Sequence, residues 1–402
     1  MAGTKPRNFG LPSNETKKMN KLSLIIIALL CSSAILLSFG SAGSAARMQS
    51  YRLDNFTQAS SFGSRSTTYT DTSAGTVPIT ASYSGDSNNA PSSASVTLTM
   101  SPTQTVVSLL PSESMAPLYW SAGSSTNESY SRALGCSTIS GDLWNIADNS
   151  EGYVKMEEQS ALDATVDFSY VDYANPSDGV VGYPHVEYGY NPFRGAETNS
   201  ISALPLPKKI KDLPELVCLA NYSLYSVTLP VNFAYDIWIT KNSHVTSKPG
   251  LGDLELMIWT YYNGDIAPSS SFATSVGSVS LPTLVNGRNE QLEWNIWVSN
   301  GDRSQDHWTV VYIVLSNPIA SGTVGVDLHR MLNEMGDALS RNYAGQWQSL
   351  AIQDYYLDSI CLGSEFKVGS GNQATYRWNI SNYCFIIDSQ PLDSGVTTSN
   401  SG

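Results

Sequence analysis

The chain has 402 residues, enough for two domains or for one large β domain with appendages. Its 35 acidic residues outnumber 22 basic ones and give a net charge of −13, which argues against a nucleic-acid-binding protein, because phosphate contacts need basic patches. Only 14% of the residues are charged and 10% are aromatic, a composition that excludes a coiled coil and extensive disorder and favours a β-rich protein with a neutral, polar ligand.

The N-terminal segment predicts export. Residues 22–38 are almost entirely apolar, follow Lys17, Lys18 and Lys21, and precede a stretch of small residues. This order is typical of a secretory signal cleaved near Ala46, although an apolar run of this length also reaches the lower limit for a membrane-spanning helix. We therefore interpret residues 1–46 as a signal peptide or a membrane anchor, and expect a secreted, extracellular protein or one tethered to the cell surface.

A stretch rich in serine and threonine comes next. From Thr57 to Thr103, 22 of 47 residues are Ser or Thr, which is typical of a solvated spacer. Within it, Ile79–Met100 alternates like two short strands around a Gly-Asp-Ser-Asn-Asn turn, and it resembles the last hairpin of bacterial immunoglobulin-like repeats. Residues 47–112 are therefore predicted to form a stalk that contains one hairpin.

Residues 113–390 have the composition of one β-rich domain, and residues 391–402 read as a flexible tail. Strand-like runs recur between Gly, Asn, Asp and Pro, and one stretch, Val326–Arg341, has helical spacing with a single apolar stripe. Many strands with one helix and no β–α alternation predict an all-β jelly-roll sandwich of two curved antiparallel sheets. The sequence shows no glycine-rich phosphate loop, which disfavours a nucleotide enzyme.

Four cysteines follow the apolar segment, namely Cys136, Cys218, Cys361 and Cys384. An even number in an exported chain permits two disulfides in three connectivities. Since Cys361 and Cys384 lie on successive strand-like runs, that pair is the first expectation. The cysteines and histidines have no metal-ligand spacing, so no metal site is predicted.

The run Gly252–Pro268 carries the most informative pattern. Alternate residues of a strand share a face, so this strand separates two kinds of side chain. One face holds Asp253, Glu255, Met257, Trp259 and Tyr261, and the other holds Leu254, Leu256, Ile258 and Thr260. The second face suits the core of a sandwich. The first combines a carboxylate with flat apolar groups and suits sugar rings, which offer hydroxyls at the edge and C–H groups on the face; a solvated strand face is the alternative.

Two further runs place acids on faces of the same kind. In Pro230–Thr240 the face is made by Asn232, Ala234, Asp236 and Trp238, and in Tyr355–Phe366 by Leu357, Ser359, Cys361, Gly363 and Glu365. If the first run pairs with the Glu255 strand, Asp236 comes within hydrogen-bond reach of Glu255 and can share a proton with it. Glycoside hydrolysis needs two carboxylates that flank the scissile bond, and two strands that meet across a cleft can supply Glu255 and Glu365.

Together these runs resemble family 12 of the glycoside hydrolases, the β-jelly-roll endoglucanases. The family's nucleophile motif E-[LI]-M-I-W is matched from Glu255, and its auxiliary Asp falls on Asp236. Its acid/base motif, close to Y-L-x-S-x-x-x-G-T-E, ends on Glu365, with Ser364 in place of Thr. Its N-terminal L-W is matched at Leu143-Trp144, and the loop after the nucleophile strand at Gly264–Pro268. The resemblance covers roughly residues 118–386.

The resemblance implies an endo-β-1,4-glucanase that works by retaining double displacement, with Glu255 as nucleophile, Glu365 as general acid/base and Asp236 as auxiliary residue. The residues it assigns to substrate binding are Trp144, Asn145, Met257, Trp259 and Pro268. It implies a β-1,4-linked glucan as the partner, and neither a metal, an organic cofactor nor a protein partner. Two alternatives stay open: a xyloglucan- or mixed-linkage-glucan-specific hydrolase or transglycosylase on the same fold, and a non-catalytic carbohydrate-binding surface protein.

Overall fold

Antiparallel strands make up most of the described part of the chain. The computed structural model describes residues 75–83, 92–100, 105–110, 114–122, 131–158, 160–175, 179–198, 200–225, 227–245, 248–300, 307–342, 351–369 and 371–387. The predicted signal or anchor, most of the stalk and the predicted C-terminal tail lie outside these residues, so those predictions stay predictions. No helix in the described ranges is both long and apolar enough to span a membrane.

Within the described ranges the elements form a series of strands with one α-helix among them. In chain order they are β1 (Gly75–Tyr83), β2 (Ser92–Met100), β3 (Thr105–Ser108), β4 (Met115–Ser121), β5 (Ser131–Leu134), β6 (Ser137–Ser140), β7 (Glu151–Glu158), β8 (Leu162–Tyr170), β9 (Val180–Gly182), β10 (His185–Asn191), β11 (Ala196–Glu197), β12 (Lys208–Lys209), β13 (Leu216–Tyr225), β14 (Asn232–Thr240), β15 (Leu254–Tyr262), β16 (Ala273–Val285), β17 (Arg288–Ser299), β18 (Thr309–Leu315), β19 (Ser321–Asp327), α1 (Leu328–Asn342), β20 (Tyr356–Gly363), β21 (Phe366–Lys367) and β22 (Ala374–Ile387). Short 3-10 helices lie at Ile210–Asp212, Gly264–Ile266 and Ile352–Asp354.

The strands form two layers. The inner layer runs β6–β10–β20–β14–β15–β18–β17, in which only the β15–β18 pair is parallel. The outer layer runs β4–β7–β8–β22–β13–β19 and is antiparallel throughout. Strand β16 pairs with β17 along most of its length and with β19 at its end, so it joins the layers. The all-β jelly-roll prediction is confirmed.

The hydrophobic core lies between the layers and is supplied by alternate residues of each strand. On β14 and β15 the core side chains are Phe233, Tyr235, Ile237, Ile239, Leu254, Leu256 and Ile258, all fully or almost fully buried. The apolar stripe of α1 joins the same core through Leu328, Met331, Leu332, Met335 and Leu339. Both the predicted helix and the predicted core face of the Glu255 strand are therefore confirmed.

Two β-bulges shift the alternation, and two face assignments made from the sequence are wrong for that reason. The pairing of β14 with β15 slips between Phe233 and Ala234, so Tyr261 packs against the core instead of sharing the face of Glu255. The pairing of β14 with β20 slips between Trp238 and Ile239, and Leu357 consequently belongs to the core rather than to the face of Glu365. Because a bulge inserts one extra residue, every side chain beyond it changes face.

The expected disulfide between Cys361 and Cys384 is not formed, and all four cysteines of the described chain are free. Cys361 lies on β20 in the inner layer, opposite Asp236 of β14. Cys384 lies on β22 in the outer layer, opposite Leu219. The two runs are successive in sequence but belong to different layers, which is why their thiols do not meet.

The main sheet begins before the boundary at residue 113 that composition indicates. Strand β3 pairs with the last four residues of β22, Cys384–Ile387, and extends the outer layer. Upstream of it, β1 and β2 pair antiparallel from Gly75↔Met100 to Tyr83↔Ser92, in the stretch where the sequence predicts two strands.

Several carboxyl groups are buried away from the cleft or beneath its floor. Burial raises the pKa of Glu158 to about 7. Burial likewise raises the pKa of Asp358 to about 7, although its carboxylate accepts a hydrogen bond of 2.6 Å from Thr240 Oγ1. A carboxyl group whose folded pKa exceeds its unfolded value of about 4 binds its proton more tightly in the folded state, so it favours folding as the pH falls through the folded value.

We therefore expect the melting temperature of the protein to rise, or at least not to fall, as the pH is lowered from 7 to about 4, because the folded state then binds more protons than the unfolded chain. Thermal melts across this range measure it. Asp358→Asn keeps an oxygen acceptor for Thr240 but cannot titrate, so it should show a flatter pH dependence than the parent. A melting temperature that falls steadily from pH 7 to pH 3 would contradict the expectation.

Candidate active site

A cavity of about 860 Å³ opens on the face of the inner layer that points away from the core. Its volume falls in the range typical of ligand sites. Its acidic lining residues are Asp142, Asp236, Glu255, Asp265 and Glu365, and its aromatic ones are Trp144, Tyr183, His185, Phe193, Trp238, Trp259, Phe272, Trp308 and Tyr312. The three acids singled out from the sequence thus come together in one cavity.

Glu255 is held on β15 between its neighbours on both sides. It lies directly opposite Trp238 of β14 and beside Val310 of β18. Its carboxylate Oε2 accepts a hydrogen bond of 2.5 Å from the indole Nε1–H of Trp308. A buried carboxylate fixed by a donor has one orientation to offer a ligand, which is what a nucleophile requires.

Asp236 lies next to Glu255 and is hydrogen-bonded to it, as the sequence predicts for paired strands. Burial raises the pKa of Asp236 well above its usual range, and the nearby charges of Glu255 and Glu365 raise it further. Burial also raises the pKa of Glu255, but the hydrogen bonds from Trp308 and Asp236 act in the opposite direction. The proton of this pair therefore resides on Asp236, which donates it to an ionised Glu255.

Glu365 follows β20 and is clamped by Asn232 at the start of β14. The amide Nδ2 of Asn232 donates to Glu365 Oε2 at 2.5 Å, and the amide oxygen accepts from the Glu365 backbone N–H at 2.8 Å. A third bond, from the Asn232 backbone N–H to the Glu365 carbonyl, measures 3.1 Å. Asn232 is fully buried, and Ser364 Oγ donates to its carbonyl at 2.5 Å. The position of the Glu365 carboxylate is thus set by another strand.

Apolar groups form the cavity wall beside these carboxylates. Met257 and Trp259 belong to a small cluster on the cleft face, separate from the main core, together with Ala234, Ile266 and Val314. The opposite parity of Trp294 and Trp297 predicts that only one of them faces the cleft: Trp297 packs against this cluster, and Trp294 is buried in the core. A wall of flat apolar side chains next to carboxylates can stack the C–H face of a sugar ring.

The remaining residues predicted to bind substrate differ in burial and in whether they line the cavity; they are Trp144, Asn145 and Pro268. Trp144 lines the cavity and is 43% exposed, so its ring is open to a ligand. Asn145 is buried and does not line the cavity; its side chain donates to the Val180 carbonyl and accepts from the Asn175 N–H, which secures the loop that carries Trp144. Pro268 is partly buried and is also absent from the cavity wall. A substrate contact by either of the latter two stays a prediction.

Sequence reasoning missed Trp308, Phe193 and the clamping role of Asn232. The rings of Phe193, Trp238 and Trp308 contact one another edge to face at 4.8–5.5 Å and surround the Glu255 carboxylate. Asn232 shows a weak signal, because it shares the strand face of Asp236. Trp308 shows none, since it reaches Glu255 through the parallel pairing of β15 with β18, which no local pattern reveals.

The arrangement can perform acid–base and nucleophilic chemistry on a sugar. Two hydrogen-bond donors favour the ionised form of one carboxylate, and a second carboxylate lines the same cavity, held by an amide. Two carboxyl groups in different surroundings are the basis of the acid and nucleophile roles in glycoside hydrolysis.

Comparison with known proteins gives one family. The family model of glycosyl hydrolase family 12 matches residues 135–388. No curated protein sequence matches the chain significantly. Among solved structures, endoglucanase Cel12A from Rhodothermus marinus aligns with 22% identity over 68% of this chain and 100% of its own, with a TM-score of 0.46. A family 12 xyloglucanase from Bacillus licheniformis aligns with 19% identity over 70% of this chain and 98% of its own, with a TM-score of 0.47.

Replacement of Trp308 tests its bond to Glu255. Trp308→Phe keeps an aromatic ring against Phe193 and Trp238 but removes the N–H donor, so the pKa of Glu255 should rise. We expect the acidic limb of the pH–activity profile to move upward by roughly one pH unit, the size of a lost hydrogen bond to a charged group. Trp294→Phe, which removes an indole donor in the core, is the matched control. An unchanged acidic limb in Trp308→Phe would show that the Trp308 donor does not lower the pKa of Glu255.

Replacement of Asp236 tests the shared proton. Asp236→Asn substitutes a weaker amide donor for the carboxylic acid, so the pKa of Glu255 should rise and the acidic limb should again move to higher pH. Activity should fall less than on loss of either glutamate. Full activity with an unaltered pH profile would leave Asp236 as an ordinary strand residue.

Proposed function

Because the chain belongs to glycosyl hydrolase family 12 and is therefore a glycosidase, we propose that it is a secreted endo-β-1,4-glucanase that hydrolyses cellulose-type β-glucans with retention of configuration. The observation that carries the proposal is that Glu255 and Glu365 line one cavity, with the carboxyl group of Asp236 hydrogen-bonded to Glu255. The export part of the proposal depends on the apolar segment within residues 1–46.

In the first step Glu255 attacks the anomeric carbon and forms a glycosyl-enzyme, while Glu365 gives its proton to the departing glycosidic oxygen. The hydrogen bonds from Trp308 and Asp236 favour the ionised form of Glu255 before the attack, against the effect of burial, which raises its pKa to about 7. They weaken as the carboxylate loses its charge to the new ester bond, and they regain strength when the nucleophile leaves.

In the second step water displaces Glu255 from the sugar, and Glu365, now ionised, accepts the water proton. The amide of Asn232 serves both steps, because it can hold the carboxyl group of Glu365 in place whether or not that group carries a proton. A group that has to alternate between acid and base benefits from a partner that fixes its position without fixing its charge.

The substrate class is tested on three polymers: carboxymethylcellulose, a mixed-linkage β-glucan and xyloglucan. We expect reducing ends to appear fastest on the unsubstituted β-1,4 chains, with an early fall in viscosity, because an endo-acting enzyme cuts within the polymer. A clear preference for xyloglucan would replace the proposed substrate by the alternative that the sequence left open. Binding to all three polymers without release of reducing ends would indicate a non-catalytic carbohydrate-binding protein.

The separate roles of Glu255 as nucleophile and Glu365 as general acid/base are tested by substitution. Glu255→Gln and Glu365→Gln should each lower kcat by several orders of magnitude while the melting temperature stays near that of the parent. Azide should restore turnover to Glu365→Ala, since it attacks the glycosyl-enzyme without a general base, and the product should be a β-glycosyl azide. An α-configured product would show that the roles or the retaining course are wrong.

A further inference from the structure

A further buried carboxylate, that of Glu187, lies on β10 of the inner layer, two strands away from Asp236. Glu187 lies opposite Cys361 of β20, which in turn lies opposite Asp236 of β14. Two strand spacings separate Glu187 from Asp236 by about 10 Å, so Glu187 is remote from the bond-breaking residues. The resemblance to the family assigns no role to Glu187.

Glu187 is held by the turn that follows its own strand. Asn191 Nδ2 donates to Glu187 Oε1 at 2.8 Å, and Arg194 Nη2 donates to Glu187 Oε2. The Glu187 side chain is 1% exposed and that of Arg194 is 12% exposed. The ion pair is therefore almost completely desolvated, and the exposed remainder of Arg194 lines the cavity.

The turn itself fixes the arginine. The amide oxygen of Asn191 accepts the backbone N–H groups of Phe193 at 2.9 Å and of Arg194 at 3.1 Å. The Gly195 N–H donates to the Asn191 carbonyl at 2.9 Å, and Gly195 has a φ of +61°, which favours glycine. Phe193 in turn contacts Trp238 and Trp308. The side chain of Arg194 is thus placed in the cavity wall by a bonded turn.

The guanidinium has donors that the protein does not use. Within the described ranges it has no acceptor other than Glu187, and its Nε is buried without a hydrogen-bond partner. A buried ion pair contributes little net stability compared with apolar residues of the same volume. The pairing with Glu187 leaves N–H donors of the guanidinium available to a ligand with hydroxyl acceptors.

We propose that Arg194 is a substrate-binding residue that donates hydrogen bonds to hydroxyl oxygens of a sugar in the distal part of the cleft, away from the scissile bond, with Glu187 and Asn191 as its positioning residues. The inference rests on the proposed glucanase function and adds a residue to that site. The sugar lies on the same side of the catalytic strands as Trp144, because the loop of Trp144 follows β6, the strand that pairs with β10.

The ligand of Arg194 is a neutral sugar rather than an acidic one. Glu187 neutralises the charge of the guanidinium, and Asp265 pairs at 3.1 Å with Lys367, another basic residue of the cavity wall. Glu255 and Asp142 then leave the cavity with an excess of acidic groups. An anionic sugar would meet net repulsion there, whereas the hydroxyls of a glucan need only N–H donors. Arginine suits this purpose because its planar group offers several donors in a fixed geometry.

The experiment measures kcat/KM of the full chain on cello-oligosaccharides from three to six glucose units. Arg194→Met should lower kcat/KM by roughly tenfold or more, the size of a lost hydrogen bond to a charged donor, for oligosaccharides long enough to reach the arginine. For the shortest hydrolysed oligosaccharide the loss should disappear. Such a step with chain length is the signature of a sugar contact, which a merely structural role would not produce.

Two further variants separate binding from folding. Glu187→Gln/Arg194→Met removes the carboxylate that Arg194→Met leaves buried and unpaired, and it should show the same step with a melting temperature like that of the parent. Arg377→Met is the matched control: Arg377 pairs with Asp163 at 2.6 Å in the outer layer, away from the cavity, and its loss should leave kcat/KM unchanged at every length.

The outcomes distinguish the inference from the function on which it rests. The role of Arg194 would be overturned if Arg194→Met kept the kcat/KM of the parent at every chain length. It would also be overturned if Arg194→Met and Glu187→Gln/Arg194→Met lost the same factor at every length. Either result would leave the proposed glucanase function intact. A parent chain that hydrolyses none of the oligosaccharides or glucans would overturn the proposed function, and the role of Arg194 with it.

Discussion

Each strand of the inner layer has one face against the hydrophobic core and the other face in the cleft, and the site depends on the register that separates these two faces. Phe233, Tyr235 and Ile237 of β14 enter the hydrocarbon core, while Asp236 and Trp238 of the same strand enter the cleft. A slip of one residue in the pairing would move Asp236 into the core and Tyr235 into the cleft. Since an unpaired charge in hydrocarbon is very unfavourable, the register that buries the core is also the register that assembles the carboxylates.

Burial governs the electrostatics of the cleft. Glu255, Asp236 and Glu365 share a cavity with Asp142, and desolvation disfavours ionisation of Asp236 and Glu255. One proton on Asp236 and the indole N–H of Trp308 oppose this effect at Glu255. The carboxyl groups of Glu158 and Asp358 are also desolvated, so burial of acids is a property of the fold as well as of the site.

Amide side chains hold two of the cleft carboxylates. Asn232 clamps Glu365 from the start of a neighbouring strand, and Asn191 clamps Glu187 from a turn. Each asparagine also accepts backbone N–H groups, so the carboxylate and the chain around it are fixed together. Positioning of this kind reduces the reorganisation needed when charge moves during a reaction, and neutral amides provide it without adding a competing charge.

The sequence by itself determined which side of each strand is apolar, where the helix lies and which three acids belong together. These features are periodic and local, and alternation over a few residues is enough to reveal them. Only the tertiary structure decided where bulges reverse the alternation, as at Tyr261 and Leu357, and which strands become neighbours. The strand order in turn determines the contacts of Trp308 and Asn232, and it separates Cys361 from Cys384. Pairing partners and bulges are settled by the packing of both layers around one core, and no short stretch of the chain contains that information.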